Sequence, residues 1–191
     1  MKEFLEATAI IDYDAPVIQQ LVAQLFHQED SDVQKAQKAF VYVRDSIAHT
    51  WDIQSNRVTC CASDVFVYKE GFCYAKSHLL AAILRSQGIP TGFCYQKLLL
   101  FETPEQGYCL HGLNAIYLEN RWIRVDARGN KQGVDAQFSL EREQLAFTVN
   151  SALGEWDDKT VYAEPNEGVI RALSKNKDAK KLYVSGLPVN L

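Results

Sequence analysis

The strongest constraint on the fold is a change of hydrophobic period near residue 88. Before this point the apolar residues recur with helical spacing, and the last helical pattern ends at Gly88 and Pro90. After it, the aromatic and branched residues that favour strands fill three segments, residues 92–101, 112–118 and 121–126. Because helices come first and antiparallel strands follow, the pattern predicts an α+β fold and not an alternating α/β fold.

Helix-start signals and apolar spacing predict the main helices. The first begins at Asp14-Ala15-Pro16, where Asp14 would cap a helix that reaches His27. The second begins at the capping box Ser31-Asp32-Val33-Gln34. It would place one apolar side inward, formed by Val33, Ala36, Phe40, Val41 and Ile47. Further helices are predicted over residues 74–87, 139–147 and 167–175, and a tight hairpin turn is predicted at Glu119-Asn120.

Composition limits the classes of partner. The chain has 191 residues, of which 47% are hydrophobic, so one domain with a substantial core is expected over residues 1–191. The formal net charge of −4 disfavours nucleic acid and anionic membrane surfaces as partners. The N-terminus is acidic where a signal peptide needs an apolar stretch. The longest apolar run, residues 79–84, is far shorter than the ~20 residues of a membrane helix. Composition says nothing of the oligomeric state.

Cys73 lies where a reactive thiol is expected. The five cysteines are an odd number, which indicates free thiols in a reducing cytoplasm. Cys73 falls in the first turn of the helix predicted to end at Gln87, where unpaired backbone N–H groups and the helix dipole stabilise a thiolate. Gly71 would let the chain turn there and leave the sulfur accessible. Cys73 is therefore a candidate nucleophile.

His111 and Asp126 are the candidate partners of this thiol. His111 opens one predicted strand and Asp126 closes the next, so antiparallel pairing around the turn brings them to the same end of the hairpin. A carboxylate beside an imidazole fixes its tautomer, and the imidazole can take and return the thiol proton. The sequence thus predicts a Cys-His-Asp triad, with pairing of Asp126 to Arg124 or Arg128 as the alternative.

These segments resemble the transglutaminase-like superfamily, whose members share a papain-like fold. The resemblance rests on Gly71-Phe72-Cys73, on the run from Ala81 to Pro90, and on Trp122 before Val125-Asp126. It covers residues 36–130 or so and leaves a C-terminal extension over about 139–191. The resemblance implies that a catalytic helix packs on an antiparallel sheet, that Cys73 is the nucleophile, that His111 is the base and that Asp126 orients it.

The resemblance also implies a type of reaction. The thiolate would attack the carbonyl of a peptide or another amide-containing substrate through a thioester, without a cofactor or a metal. Water as acceptor makes this a cysteine peptidase or amidase, and an amine makes it a protein transglutaminase. A non-catalytic binding module that retains the fold is the third alternative. Gly112-Leu113-Asn114 and Ala127-Arg128 depart from the family pattern, which leaves substrate choice open.

Members of this fold often complete an oxyanion hole with a side-chain donor upstream of the cysteine. Trp51 is the candidate for that role, and Tyr68 is a weaker one. The other thiols, Cys60, Cys61, Cys94 and Cys109, are expected to be structural, as is His78. There is no C-x-x-C pair, so a zinc site is not expected.

Overall fold

The computed structural model describes residues 1–191 apart from the side chain of Glu102. Its α-helices are α1 (Pro16–Leu25), α2 (Asp32–Ser46), α3 (Ala62–Tyr68), α4 (Cys73–Arg85), α5 (Glu167–Lys175) and α6 (Ala179–Ser185). Its strands are β1 (Ala48–His49), β2 (Glu70–Gly71), β3 (Thr91–Leu99), β4 (Tyr108–Leu118), β5 (Arg121–Val125) and β6 (Trp156–Tyr162). Short 3-10 helices cover Lys2–Leu5, Leu100–Glu102, Pro104–Gln106 and Ser151–Leu153. None of the helices described has the length and apolar composition of a membrane span.

Four of the strands form an antiparallel sheet in the order β5-β4-β3-β6, and β1 and β2 form a separate parallel pair. Glu119 and Asn120 both have positive φ angles of 50° and 61°, as a two-residue turn between β4 and β5 requires. The predicted hairpin is therefore confirmed, and so is the α+β fold with helices before the sheet. Strand β4 begins four residues before the predicted segment.

Helix α4 lies at the centre of the molecule, between α2 and α3 on one side and β4 on the other. Every one of its residues is buried. Gly88, at a φ of 74°, follows the helix and takes the left-handed conformation that commonly ends one. The predicted helix 74–87 is confirmed, with bounds moved by one residue at the start and two at the end.

The N-terminal helices agree with the prediction except in two details. The capping box at Ser31 and Gln34 is present, with both reciprocal hydrogen bonds. Asp14 does not cap α1, because the N-cap is Ala15 without a side-chain bond and Pro16 opens the helix. Val41 is 39% exposed and was wrongly assigned to the inner side of α2, where Ala39 and Val43 are buried instead.

The C-terminal part differs more from the prediction. The helix predicted over residues 139–147 is absent from the described structure, because Gln137 and Gln144 form an antiparallel bridge and the Ala146 N–H donates to Asp126. Strand β6 was not predicted, since it is an edge strand whose charged side chains interrupt the apolar alternation. The helix over residues 167–175 is confirmed as α5.

Arg85, in the last turn of α4, joins three separate segments. Its guanidinium is 2% exposed and donates to the carbonyl oxygens of Thr91 at 3.0 Å, Glu6 at 2.9 Å and Ala163 at 2.5 Å. A buried charge is tolerated only where hydrogen bonds replace its hydration. Arg85 therefore ties the N-terminal segment and the chain after β6 to the central helix.

Replacing Arg85 with Met should lower the free energy of unfolding by about 2–4 kcal/mol, because three backbone carbonyl groups, that of Thr91 buried, lose a charged donor. Urea denaturation followed by circular dichroism measures this loss. Arg57→Met is the matched control, since Arg57 is 47% exposed in its pair with Glu70 and should change stability by less than about 1 kcal/mol. Equal losses in the two variants would contradict the role assigned to Arg85.

Candidate active site

Cys73 is the first residue of α4, as predicted. Its N-cap, Phe72, makes no side-chain capping bond, so the N–H groups of the first turn have no acceptor from the N-cap side chain. Gly71 does not have a positive φ, so it does not make the turn that the sequence predicted for it. A Cβ at Gly71 would lie 3.1 Å from Ala75 Cβ and 3.2 Å from Thr59 Oγ1, so glycine allows the chain to pass close to α4.

The Cys73 sulfur lies beside strand β4. It accepts a hydrogen bond of 3.5 Å from the Gly112 backbone N–H. The residue is 8% exposed, so it is more enclosed than the sequence suggested, and it opens onto a cavity that His111 also lines. A Cβ at Gly112 would lie 2.8 Å from the Tyr74 ring, so this position of β4 requires a small residue. Glycine thus brings strand and thiol together.

His111 and Asp126 lie at the same end of the β4–β5 hairpin. The last pair of β4 and β5 at this end is Asn114 with Val125, so His111 lies three residues before it on β4 and Asp126 one residue after it on the other strand. The His111 Nε2 atom is 2.7 Å from Asp126 Oδ2. The other ring nitrogen, Nδ1, is therefore the one left for the thiol. The predicted partnership of His111 with Asp126 is present in the structure.

Two backbone N–H groups fix the Asp126 carboxylate, which is completely buried. Arg128 N donates to Oδ1 and Ala146 N donates to Oδ2, each at 3.1 Å. Burial favours the neutral carboxyl, but the His111 charge and these hydrogen bonds outweigh it and lower the pKa of Asp126. The carboxylate is thus ionised and held in one orientation.

The imidazole of His111 is held as a cation. Burial by itself lowers the pKa of His111, but the charges of Asp126 and Cys73 act more strongly and raise it to about 10. At neutral pH the ring therefore carries two protons, one directed to Asp126 and one available to the sulfur. A cationic imidazole is one of the neighbours that stabilise a thiolate in cysteine enzymes.

The alternative partners of Asp126 are engaged elsewhere. Arg124 pairs with Glu143 at 2.7 Å and with Asp157 at 2.6 Å. The Arg128 guanidinium forms a two-pronged pair with Asp52, at 2.5 and 2.8 Å. The alternative in which Asp126 serves only to pair with an arginine side chain is therefore wrong.

Cys73 and His111 open onto a cavity of about 570 Å³. Its walls are mainly aromatic and aliphatic, and they come from several parts of the chain. Residues 98–101 line it at the end of β3, the loop around Phe147 lines it beside His111, and α6 contributes Tyr183. A concave, largely apolar site of this size is typical of small-ligand binding.

The two oxyanion candidates differ in position. Trp51 lines the cavity, and its ring stacks on Tyr183 with the centroids 4.1 Å apart and the planes 8° apart. Tyr68 is 47% exposed, stacks under Arg57 and is not among the residues that line the cavity. The Tyr68 candidate is therefore wrong, and Trp51 stays a prediction.

His49 is a member of the site that sequence reasoning did not assign. It lines the cavity, and its buried Nδ1 atom has no hydrogen-bond partner among the described residues, since Asp52 Oδ1 is 4.0 Å away. Burial, and next the Arg128 charge, lower the pKa of His49 well below 6.5, so the ring is neutral. In the sequence, the indication of this role was that His49 lies two residues before Trp51, upstream of the cysteine.

Lys76 was also missed. It is 0% exposed on the inner side of α4, where its ammonium donates to the carbonyl oxygens of Arg44 and Ile47 at the end of α2. Burial lowers the pKa of Lys76 to about 7. A cation at a helix C-terminus is stabilised by the negative end of the helix dipole. Lys76 therefore fixes α2 against the helix that carries Cys73. In the sequence, the indication of this role was a lysine within an otherwise apolar helix pattern.

His78, Cys94 and Cys109 differ in their surroundings. His78 is buried, and its Nδ1 is 2.8 Å from the Cys60 carbonyl oxygen, so it is a satisfied core histidine. Cys94 is buried in the sheet, whereas Cys109 lines the cavity and is half-buried. No group of three or more potential metal ligands occurs among the described residues.

The order of these elements matches a known family. The family model of the transglutaminase-like superfamily matches residues 19–127, which is more than half of the chain. The chain belongs to the transglutaminase-like superfamily. The matched segment contains Cys73, His111 and Asp126, whereas β6, α5 and α6 lie outside it.

Solved structures with related folds are distant in sequence. A candidate cysteine protease from Cytophaga hutchinsonii has a TM-score of 0.53 at 19% identity, over 65% of this chain and 40% of that one. The periplasmic domain of TgpA from Pseudomonas aeruginosa has a TM-score of 0.41 at 22% identity, over 65% of this chain and 46% of that one. A TGase has a TM-score of 0.45 at 17% identity, over 81% of this chain and 42% of that one. The first likeness shows the shared fold alone.

The chain spans less than half the length of each of these structures. No curated protein matches it.

Nitrogen-15 NMR at pH 8 should find His111 doubly protonated and His49 and His78 neutral. The reason is that the pKa of His111 is raised to about 10, whereas burial lowers the pKa of His78 to about 4 and that of His49 well below 6.5. Asp126→Asn removes the strongest of the charges that raise the pKa of His111, so this ring should become neutral at pH 8. A neutral His111 in the unmodified protein would contradict the ion pair.

Brief treatment with iodoacetamide at pH 7 should alkylate Cys73 first, about tenfold faster than any other cysteine. Burial raises the pKa of Cys94 and of Cys109 to about 12, and it also raises the pKa values of Cys60 and Cys61. Those four residues hold little thiolate at neutral pH. Peptide mass mapping measures the order, and earlier labelling of Cys60 or Cys61 would contradict it.

Proposed function

We propose that this protein is a thiol-dependent amide hydrolase or acyltransferase in which Cys73, His111 and Asp126 form the catalytic triad. One observation carries the proposal. His111 lies with Nε2 2.7 Å from a buried carboxylate, and it lines the same cavity as the thiol at the start of α4. The charge of the imidazolium is maintained by Asp126 on one side and Cys73 on the other. This is the arrangement that activates a cysteine nucleophile.

In the first half of the reaction, the Cys73 thiolate attacks the carbonyl carbon of an amide. The carbonyl π electrons move to oxygen, which gives a tetrahedral oxyanion. The oxyanion collapses, the C–N bond breaks, and His111 donates its Nδ1 proton to the leaving amine. The products of this half are a free amine and a thioester on Cys73.

In the second half, the neutral His111 ring takes a proton from water, and the oxygen attacks the thioester carbonyl. The C–S bond then breaks to give a carboxylic acid, the thiolate and the imidazolium, which restores the starting state. An amine in place of water would give a new amide, as in transglutamination. Asp126 keeps the ring in one tautomer and orientation throughout, because its carboxylate is fixed by two backbone donors.

The oxyanion needs hydrogen-bond donors in place before it forms. The Cys73 N–H at the uncapped start of α4 is one proposed donor. Trp51 is the proposed side-chain donor, because it lines the cavity and its indole N–H has no hydrogen-bond partner among the described residues. The reaction as proposed uses protein groups and water, with a peptide or another amide-containing compound as substrate.

A reducing compartment suits a thiol nucleophile. All five cysteines are free in the structure, which supports the proposal that the protein acts in the cytoplasm.

Cys73→Ala should abolish turnover of peptide and amide substrates, because it removes the nucleophile. Cys109→Ala is the matched control, since Cys109 lines the same cavity and should retain at least about half of the activity. His111→Ala should also abolish turnover. Asp126→Asn should lower kcat by about 10³–10⁴-fold, because the amide favours the wrong tautomer of His111. Release of amine product from a mixed peptide pool, followed by mass spectrometry, measures these rates.

A folding control accompanies these variants. Cys94→Ser places a hydroxyl at a completely buried position of β3 and should lower stability by about 1–3 kcal/mol while activity per folded molecule stays unchanged. A labelled primary amine in the assay separates the two acceptors, since incorporation of label identifies transfer and its absence identifies hydrolysis. Full activity of Cys73→Ala on every accepted substrate would contradict the assignment of Cys73 as the nucleophile. No turnover of any peptide or amide by the unmodified protein would support the non-catalytic binding module instead.

A further inference from the structure

Four aromatic side chains form one face of the cavity next to Cys73. We call these four residues the aromatic wall: Trp51, Phe72, Phe101 and Tyr183. Tyr183 is at the centre of this wall. Its ring stacks on Trp51 at 4.1 Å, meets Phe101 edge-on at 5.5 Å and lies 6.0 Å from Phe72 between ring centroids. Phe72 directly precedes Cys73, so the wall begins beside the sulfur.

Tyr183 comes from a part of the chain that the family match does not include. The match ends at residue 127, and Tyr183 lies in α6. This helix is held in place by its Asp178 cap, by the Ala179 N–H, which donates to the Asn56 carbonyl oxygen at 3.0 Å, and by the buried side chain of Leu182. Just after the helix, the Pro188 carbonyl oxygen accepts a 2.7 Å bond from the Leu110 N–H. The wall is therefore anchored on both sides of Tyr183.

Phe101 reaches the wall from the turn between β3 and β4. Its φ of 55° is a left-handed conformation that a bulky residue rarely adopts. Such a conformation persists where the surroundings stabilise it, and the ring of Phe101 contacts both Trp51, at 5.6 Å, and Tyr183. The ring is 41% exposed, so it lies at the rim of the cavity and not in the protein core.

The charged residues around the cavity are already paired with other protein groups. Asp52 binds Arg128, and it also binds Lys131 at 3.0 Å. The Glu155 carboxylate accepts from the backbone N–H groups of Leu99 and Asn150, each at 2.8 Å. A charged ligand group would have to compete with one of these ion pairs or hydrogen bonds, whereas an apolar group only displaces water from the rings.

The chemistry of the proposed reaction assigns the two ends of the substrate. The leaving amine must meet His111, which protonates it, and the aromatic neighbour of His111 is Phe147 at 5.1 Å. Among the described residues, no ring of the aromatic wall forms an aromatic pair with His111. The wall is therefore the surface next to the other end of the substrate, the acyl group.

We propose that the aromatic wall is an acyl-group pocket that selects bulky apolar acyl groups, and that Tyr183 is its main specificity-determining residue. This inference rests on the proposed function, because it assigns the acyl group that Cys73 would carry. A substrate of this class has an aromatic or long aliphatic side chain next to the carbonyl that is attacked. A small or carboxylated acyl group would leave the rings of the wall without a partner.

The test holds the leaving group constant and varies only the acyl group. Trifluoroethyl thioesters of acetic, 3-phenylpropanoic and succinic acids share one small leaving group. Acid production is measured by mass spectrometry, and each rate is divided by the rate of the same thioester with free N-acetylcysteine, which removes the intrinsic reactivity. We expect the corrected kcat/KM for phenylpropanoyl to exceed that for acetyl and for succinyl by about tenfold or more.

Tyr183→Ala should lower this phenylpropanoyl-to-acetyl ratio by about tenfold, because the bulky group loses the ring that it contacts whereas the acetyl group is too small to use it. Tyr183→Phe should keep the ratio, since the Tyr183 hydroxyl has no hydrogen-bond partner among the described residues. Val184→Ala is the matched control, because Val184 is the next residue of α6 and is 54% exposed. It should leave both rates unchanged.

If Tyr183→Ala does not fold, Phe101→Ala at the rim of the wall serves in its place and should also lower the ratio. A ratio near one in the unmodified protein, or a ratio that neither variant changes, would overturn the acyl pocket while the proposed function stands. If no thioester acylates Cys73 faster than it acylates free cysteine, the proposed function fails, and the acyl pocket fails with it.

Discussion

The complete burial of helix α4 is the constraint on which the other elements depend. A helix with no exposed residue must be covered on all sides, and it is covered by α2, α3 and the sheet. Its polar side chains then have to find partners away from water. They find them on the surrounding backbone: Lys76 on the end of α2, Ser77 on Gly112 of β4, His78 on Cys60, and Arg85 on three separate segments. Hydrophobic packing thus brings these segments together, and the buried polar groups fix their relative positions.

The site at the start of this helix concentrates charge in a largely apolar region. Burial opposes the charged forms of both His111 and Asp126, and each compensates for the desolvation of the other. Two backbone N–H groups donate hydrogen bonds to the Asp126 carboxylate, and one of them is that of Ala146, in a loop 20 residues further along the chain. The proposed reactivity of Cys73 therefore depends on residues beyond the hairpin. In a low-dielectric cavity, a misplaced donor weakens such a pair more than it would in water.

The chain adds elements of its own to the segment that it shares with the family. The segment that matches the family contains Cys73, His111 and Asp126, whereas β6, α5 and α6 come later. Strand β6 extends the sheet beside β3, and α6 closes the cavity with Tyr183. Changes in α6 can alter the cavity wall without touching the buried His111–Asp126 pair, whereas changes at Ala146 reach the Asp126 carboxylate directly. The proposed catalytic residues and the proposed specificity residue Tyr183 therefore lie in different parts of the sequence.

The sequence by itself determined the α+β order, the helix that begins at Cys73, and the hairpin that brings His111 to Asp126. These features depend on local periodicity, on turn residues such as Glu119 and Asn120, and on positions counted from a turn. Only the tertiary structure decided that residues 139–147 form no helix, that Gly71 is required for close packing, and that His49, Lys76 and Tyr183 belong to the site and its support. Each of these outcomes depends on which distant group a residue meets. Local pattern does not encode such contacts, because they form only when the chain closes around α4.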